Sequence, residues 1–343
     1  MKRIKLVALW GMLGILATSN IALAGSGAGA IILSFPIGAR YNALGEAGVA
    51  LAQDVTACWW NPGGLAFASA RGKPNDLHFM QSPLAEGLAD DIGLYWVGYS
   101  GALGESGTIG FYINYLDMGE QIATNDAGEE IGVFTSNMFT VGAVYGVRIS
   151  PNFGLGLGVK YFRDKLADDS ALQEGTGGSG DSFGVDIGML WKVPFLRMNL
   201  AAVVANLGPD ITHVDEDQSD PMPRKFHTGL AYSLFASEAM GLLFIGDYQI
   251  PLYDFKKDSD SYGLGTEFDQ EEWGVGAEWN YVQSLFIRFG YTSAAYGDIQ
   301  DTTYGFGVDL GQWTGQAITF DYASVPQATG LDRVNRFSLG YRF

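Results

Sequence analysis

The last ten residues of the chain, Val334 to Phe343, alternate between two kinds of side chain. Phe337, Leu339, Tyr341 and Phe343 are large and apolar, whereas Arg336, Ser338, Gly340 and Arg342 are charged or small. Successive side chains of a β-strand point to opposite faces, so this pattern predicts a strand with lipid on one side and a polar space on the other. Because backbone groups in lipid must be paired, the strand must close a ring with an earlier one.

The same alternation recurs along the chain, which favours a membrane barrel over the edge strand of a soluble β-sandwich. The predicted strands are Leu77 to Gln81, Ile92 to Ser100, Gly107 to Leu116, Met138 to Ile149, Phe153 to Leu166, Ser182 to Val193, Arg197 to Asn206, Arg224 to Leu234, Met240 to Ile250, Glu271 to Val282, Ser284 to Thr292, Thr302 to Leu310, Ala317 to Ala323 and Val334 to Phe343. We therefore predict an all-β membrane protein, a 14-stranded antiparallel transmembrane β-barrel over residues 77–343. Tyr341 and the terminal Phe343 are the expected assembly signal of such a barrel.

Composition and charge exclude several functional classes. The chain has 48 Gly, 17 Tyr, 21 Phe and 8 Trp in 343 residues, which fits a barrel with a crowded interior and rings at a lipid boundary. Its formal net charge of -18 argues against nucleic acid as a partner. The single cysteine, Cys58, excludes an internal disulfide framework and a Cys-rich zinc site.

Residues 1–24 are predicted to be a signal peptide. Lys2, Arg3 and Lys5 precede an apolar run, and the sequence from Ala22 to Ala24 has the small-x-small pattern of a cleavage site. Beyond it no apolar run approaches the roughly 18 residues that a spanning helix needs. Export without a later spanning helix, combined with the alternating strands, predicts the bacterial outer membrane.

Residues 25–76 lack the two-residue period and are predicted to form an N-terminal plug, or hatch, inside the barrel. Trp59, Trp60, Asn61, Pro62 and Gly63 form its most distinctive stretch, the hatch segment. Asn61 can cap a short helix that begins at Pro62, a position that needs no backbone donor. A mobile periplasmic tail is the alternative, but adjacent tryptophans are rarely left in water.

Connection lengths predict the orientation of the barrel. The long connections are 120–137, 167–181, 208–223, 251–270 and 293–301, and they alternate with short ones such as 150–152 and 194–196. Outer-membrane barrels have long extracellular loops and short periplasmic turns, so we place the long set at the cell surface.

Several charged residues alternate with apolar neighbours and should therefore face the lumen. They are Asp186, Lys192, Asp247, Glu278, Arg288, Asp309, Asp321, Arg336 and Arg342. Such charges can form a permeation path or can pair to hold adjacent strands in register. We favour structural pairing because both signs are interleaved, and an acid-base ladder across the strands of Asp309, Asp321 and Arg336 would follow.

The sequence offers little that resembles a catalytic or metal site. His78, His213 and His227 are scattered and lack metal-ligand spacing, and no nucleophile elbow, HExxH or P-loop is present. The acidic run at 215–217 with Asp220 could hold calcium, although a solvated acidic loop is the preferred interpretation. We expect no enzymatic activity, no cofactor and no metal.

The chain resembles a known family in four regions. The matching stretches are Gly38-Ala39-Arg40, Leu44 through Ala50, Asp54 and Trp60 through Ala66, then Ala205 through Pro209, Arg288 through Tyr291, and Arg336 through Phe343. They are similar to PorV/PorQ-type outer-membrane proteins, within the wider FadL-like group of fourteen-stranded barrels with an internal hatch. FadL-like members carry an Asn-Pro-Ala motif in the hatch, whereas Gly63 follows Asn61-Pro62 in this chain.

The resemblance implies two alternative functions. PorV-type members are non-enzymatic partners in type IX protein secretion, whereas FadL-type members move hydrophobic molecules across the outer membrane. The charged, glycine-lined lumen predicted above suits an apolar substrate poorly, so a secretion scaffold or shuttle ranks first. We then expect a monomeric barrel that contacts outer-membrane lipids, lipopolysaccharide, the barrel-assembly machinery, and secreted cargo proteins or a secretion translocon.

Overall fold

The computed structural model of the protein describes residues 29–68, 72–89, 91–124, 127–166, 178–213, 219–257, 261–265, 271–294 and 298–343. The predicted signal peptide, residues 1–24, lies outside this described part. So do Asp215, Glu216 and Asp217 of the acidic run.

Fourteen antiparallel strands form one closed barrel, which confirms the predicted fold and number of wall strands. The wall strands are β1 Asn75–Pro83, β2 Gly93–Ala102, β3 Thr108–Thr124, β4 Glu130–Ser150, β5 Phe153–Lys165, β6 Ser179–Val193, β7 Met198–Leu207, β8 Lys225–Ala236, β9 Met240–Pro251, β12 Glu272–Tyr281, β13 Leu285–Ala294, β14 Ile299–Asp309, β15 Ala317–Val325 and β16 Val334–Arg342. A separate hairpin of β10 Tyr253–Lys257 and β11 Ser261–Gly265 follows β9.

The last strand closes the ring on the first one, as predicted. Leu77 of β1 lies opposite Tyr341 of β16, and Phe79 lies opposite Leu339. The backbone groups of Asn75 and Phe343 exchange two hydrogen bonds of 3.1 Å at the end of this seam. Pairing around the full circle leaves no wall strand as an edge.

The outer surface of the wall is apolar. On β16, Phe337 and Leu339 are 43% and 50% exposed, whereas Arg336 and Ser338 between and beside them are buried. Most wall strands repeat this alternation of exposed apolar and buried residues. A continuous exposed apolar surface of this kind is the lipid-facing band of an outer-membrane barrel.

The two ends of the barrel differ in their connections. At one end, here named the short-turn end, β4 and β5 are joined by residues 151–152, and β6 and β7 by a 3-10 turn at Pro194–Leu196. At the opposite end, the long-loop end, β7 and β8 are separated by residues 208–224. A short helix, Gly311–Thr314, lies between β14 and β15 at the short-turn end.

The predicted loop at 120–137 is wrong, because most of it is strand. β3 extends to Thr124 and β4 begins at Glu130, and the two strands stay paired beyond a register shift between Asp117 and Glu120. The structure therefore has a long projecting hairpin at this position. The predicted loop 251–270 likewise contains the β10–β11 hairpin.

Residues 30–67 fill the barrel interior. They form a 3-10 turn at Ile31–Leu33 and three helices of one turn each, Ala39–Asn42, Ala57–Trp60 and Pro62–Leu65. Gly29 lies beside Asp220 at the long-loop end, and the segment leads into β1 at the short-turn end. The described plug therefore runs the length of the lumen.

Within the described residues, no helix is both long enough and apolar enough to cross a membrane.

Candidate functional site

The hatch segment, Trp59–Gly63, is held by a capped helix of one turn. Asn61 has extended backbone angles, and its side-chain oxygen accepts a 2.9 Å hydrogen bond from the Gly63 N–H. Pro62 occupies the first helical position, where the missing donor costs nothing. The structure thus shows the cap that the sequence predicted.

Asn61 also joins the plug to the wall. Its side-chain amide donates to the Val49 carbonyl at 2.9 Å and to the Met189 carbonyl of β6 at 3.1 Å. The residue is fully buried, so every one of these bonds forms away from water. Loss of this one side chain would leave two buried carbonyls and one N–H without these partners.

Wall glycines let the plug backbone touch the wall backbone. A Cβ added at Gly156 of β5 would overlap Pro62, and one at Gly188 of β6 would overlap Asn61. Elsewhere in the wall, a Cβ at Gly274 of β12 would overlap the carbonyl of Gly45. The high glycine content therefore supports close packing between plug and wall.

The two tryptophans of the hatch segment have different surroundings. Trp60 is buried, and its Nε1–H donates to the Ile37 carbonyl at 2.9 Å. Trp59 is partly buried, its ring stands edge-on to Tyr112 with centroids 6.2 Å apart, and the Lys160 ammonium lies 5.8 Å from its ring centre. Trp60 therefore stabilises the plug internally, and both tryptophans line one cavity.

One buried charge network links the plug to three wall strands. Glu278 accepts hydrogen bonds from Arg40 of the plug at 2.9 and 2.7 Å, and from Arg288 at 2.6 Å. Arg288 also donates to Asp321 at 2.7 Å. Burial lowers the pKa of the Arg40 guanidinium, but the contact with Glu278 more than offsets burial and raises this pKa overall.

A second set of contacts holds the middle of the plug. Arg336 donates to Asn42 and lies 3.1 Å from the Glu46 carboxylate, whose pKa is raised by burial although Arg336 opposes that shift. Asp247 accepts from the N–H groups of Gly48 and Val49 at 2.6 and 2.9 Å. Luminal charges thus bind plug side chains and plug backbone alike.

Three of the four remaining predicted luminal charges pair within the wall, and the fourth, Lys192, has its ammonium 4.0 Å from the ring centre of Phe67 in the plug. Asp186 lies 2.7 Å from the Lys160 ammonium, and Asp309 lies 3.0 Å from Arg342. The expected ladder is only partly present, because Arg336 turns to the plug and does not pair with Asp321.

The plug separates two cavities that share no lining residue. The cavity at the long-loop end has a volume of about 80 Å³ and is lined by Glu46, Lys160, Lys225, His227, Asp247 and Glu272, among others. The cavity at the short-turn end has a volume of about 90 Å³ and is lined by Arg40, Asp54, Asp76, Arg288, Asp309, Asp321 and Arg342, among others. Charged side chains line both cavities, and covering them with an apolar ligand would be costly.

Sequence reasoning missed the plug residues that form hydrogen bonds or ion pairs with the luminal charges, namely Arg40, Asn42 and Glu46. The available signal was the presence of charged residues in an alanine-rich segment that was predicted to lie inside the barrel, where such residues need partners. Lys160 could also have been found, because it alternates with outward residues of β5 just as Asp186 does on β6.

The remaining candidate residues do not form a reactive centre. His213 lies 3.1 Å from Asp164 and His227 lies 3.2 Å from Asp247, while His78 packs against Trp96. Among the described residues, no group of three or more His, Cys, Asp or Glu could hold a metal ion. Cys58 is buried beneath Gly110.

Comparisons with known proteins show both a family and a fold. The family model described as type IX secretion system protein PorV matches residues 26–241. No curated protein matches the chain. The toluene transporters TbuX of Ralstonia pickettii and TodX of Pseudomonas putida are 13% and 12% identical, each with a TM-score of 0.54.

These alignments extend over nearly the whole chain. The TbuX match covers 90% of this chain and 98% of the transporter, and the TodX match covers 94% and 98%. A FadL homologue of Pseudomonas aeruginosa is 12% identical with a TM-score of 0.52, covering 95% of this chain and 100% of the homologue. At sequence identities this low, the three matches show a shared fold alone.

Proposed function

The chain belongs to the PorV family of type IX secretion system proteins, and on this basis we propose that it is a non-enzymatic outer-membrane scaffold or shuttle for secreted proteins. In this role it binds a protein partner at the cell surface, and nothing passes through its lumen. The long-loop end faces the outside, as is usual for such barrels.

The observation that carries the proposal is the occluded, charged lumen. Three sets of bonds hold the plug to the wall. Asn61 of the plug binds β6, Glu278 of β12 binds Arg40 of the plug, and Arg336 of β16 binds Asn42 of the plug. Buried charge pairs of this kind are costly to separate, because each charge would lose its partner in a dry site. Partner binding at the outer surface needs no such separation.

Passage of a hydrophobic molecule is the second candidate. Its support is the fold shared with proteins described as toluene transporters. Two observations stand against it. Charged side chains line both cavities, and Gly63 follows Asn61-Pro62 where FadL-like members have alanine.

We further propose that the barrel works as a monomer surrounded by outer-membrane lipids and lipopolysaccharide, after insertion by the barrel-assembly machinery. The role requires no catalytic step. Its partners are secreted cargo proteins and the secretion translocon.

The test compares two variants for two activities. One variant replaces residues 253–265, the β10–β11 hairpin, by a glycine-serine loop, and the other is Asn61→Ala. The loop at 208–223 is a poor target, because Ile211 and Met222 within it are fully buried. A matched control replaces residues 311–315 at the short-turn end.

Each protein is scored for co-purification of secreted proteins and for uptake of toluene and a long-chain fatty acid. We expect the parent and the short-turn control to retain secreted proteins, the hairpin variant to lose them, and no barrel to increase uptake. Uptake by the parent that is lost in Asn61→Ala, with no secreted partner bound, would favour the transporter.

A further inference from the structure

The β3–β4 hairpin continues past the rest of the wall. Pairing of β3 with β2 ends at Asp117, and pairing of β4 with β5 ends at Asn137. Beyond these residues β3 and β4 pair only with each other in the described part of the chain. Residues 118–124 and 130–136, here named the projecting ribbon, therefore extend beyond the paired wall at the long-loop end. Met118 at the base still packs against the core, and Ala123 and Ser136 are buried.

The base of the projecting ribbon is fixed in direction. Gly119 has a positive φ of 71°, and its N–H donates to the Asp117 carboxylate at 3.1 Å. The Glu120 N–H donates to the Asp91 carboxylate at 2.9 Å, and Gln121 donates to the Ser136 hydroxyl at 2.9 Å. The ribbon is thus presented in one orientation.

One face of the projecting ribbon is apolar and exposed. Ile122, Ile131 and Val133 are 59%, 51% and 64% exposed, and Ile122 lies directly opposite Val133. Tyr115, an outward residue of β3 within the wall, is only 37% exposed. A two-stranded ribbon is marginally stable alone, so three exposed β-branched side chains favour the addition of another strand.

One edge of the projecting ribbon is open. The Glu120 N–H points away from β4, because it bonds to Asp91, and the two-residue period of a strand places the Ile122 and Thr124 N–H groups on the same edge. In the described residues, no backbone group outside β4 bonds to Ile122 or Thr124. Unpaired edges usually carry Lys or Pro as protection, and neither occurs between Asp117 and Asn137.

The charge of the projecting ribbon selects the kind of strand that can pair with it. The segment from Asp117 to Asn137 contains no Lys or Arg, and its acidic residues are Asp117, Glu120, Asp126, Glu129 and Glu130. Like charges oppose pairing with a second copy of this chain and contact with an anionic lipid surface. An extended segment of another protein that carries both aliphatic and basic residues would cover the apolar face and complement the negative charge of the ribbon.

We propose that the projecting ribbon captures a partner polypeptide by β-strand addition, taking an extended segment that carries aliphatic and basic residues on one face, at successive second positions. The backbone of this segment pairs with the Ile122–Thr124 edge. Its aliphatic residues cover Ile122 and Val133, and its basic residues two positions away meet Glu120 and Glu130, which lie on the same face of the ribbon. The inference rests on the proposed function, since it names the chemistry of the captured segment.

The test uses the full barrel in detergent and a nine-residue lysine peptide that carries threonine at odd positions and alternates lysine and valine at even positions, so that lysine and valine share one face. The control, the glutamate peptide, has glutamate in place of each lysine. We expect the lysine peptide alone to bind, less tightly at high salt, and to slow hydrogen exchange at the Ile122 and Thr124 amides. The double variant Ile122→Ala/Val133→Ala should weaken binding about tenfold. Ile113→Ala, which alters a 48% exposed residue of β3 within the wall, should leave binding unchanged.

Several results would overturn the inference. These are absence of lysine-peptide binding, equal binding of the glutamate peptide, binding without amide protection, dimerisation through the ribbon, and binding to anionic vesicles in place of the peptide. Secreted proteins that co-purify equally with the parent and the double variant would also overturn it while leaving the proposed function intact. If the parent barrel binds the lysine peptide but captures no secreted protein, the result would count against the proposed function and not against strand addition.

Discussion

Glu278→Gln should loosen the plug while preserving the shape of the side chain. The carboxylate receives three hydrogen bonds from two guanidinium groups, Arg40 and Arg288. Glutamine has one acceptor oxygen and no charge, so Arg288 would keep its bond to Asp321, whereas Arg40 would lose its carboxylate partner on β12. We expect the plug helix that carries Arg40 to lose its attachment to β12.

The expected size of the effect follows from burial. The Glu278 and Arg288 side chains are 4% and 2% exposed, and removing one partner of such a buried pair costs about 3–5 kcal/mol. Asp309→Asn is the matched control, because it breaks a pair with Arg342 in the same lumen whose side chains are each about a fifth exposed. Water screens that pair, so we expect a cost of about 1 kcal/mol or less.

The assay is denaturant unfolding of the barrel in detergent micelles, followed by tryptophan fluorescence. We expect Glu278→Gln to lower the unfolding midpoint far more than Asp309→Asn. Adding Arg40→Gln to Glu278→Gln should restore part of the loss, because it removes one uncompensated cation. Equal midpoints for Glu278→Gln and Asp309→Asn would show that burial of the network does not govern plug attachment.

Two further predictions concern packing and assembly. Gly188→Leu should displace the hatch segment and let a maleimide label Cys58, whose thiol is fully buried with a pKa raised by burial. Gly246→Leu should leave Cys58 unlabelled, because the atom nearest to an added Cβ there belongs to Val275 of the wall, at an ordinary contact distance of 3.7 Å. Labelling that is equal in both variants would refute this. Removal of Phe343 deletes its two backbone bonds to Asn75, so the heat-modifiable barrel should decrease while export across the inner membrane continues; normal amounts of folded barrel would contradict it.

The wall was predictable from sequence because lipid imposes the same demand on every second residue. The projecting ribbon was not, since a strand that has left the membrane no longer needs a regular apolar face. In addition, the register shift after Asp117 moves the outward positions by one residue, so that Ile122 falls out of phase with Tyr115. The stretch from Glu120 to Asn137 consequently resembled a polar loop.

The plug was predictable only where its contacts are local. The Asn61 cap involves residues two positions apart, so the sequence sufficed. Its bond to Met189 and the Arg40–Glu278 pair join residues separated by more than a hundred positions, and no alternation pattern specifies such partners. Alternation indicated which wall charges face inward, but it could not show that several of them bind the plug.

The path of the plug sets an order of events in time. The segment ahead of β1 begins at Gly29, beside Asp220 at the long-loop end, and leads to Asn75 at the short-turn end, where Asn75 is bonded to Phe343 across the closing seam. Threading that segment through a finished ring would require the buried bonds of Arg40 and Asn61 to the wall to form in a space already closed, and proteins avoid threaded connections. We therefore expect the curved sheet to gather around this segment first and the joining of β16 to β1 to come last. On that order, closure of the β1–β16 seam is the step that encloses the interior.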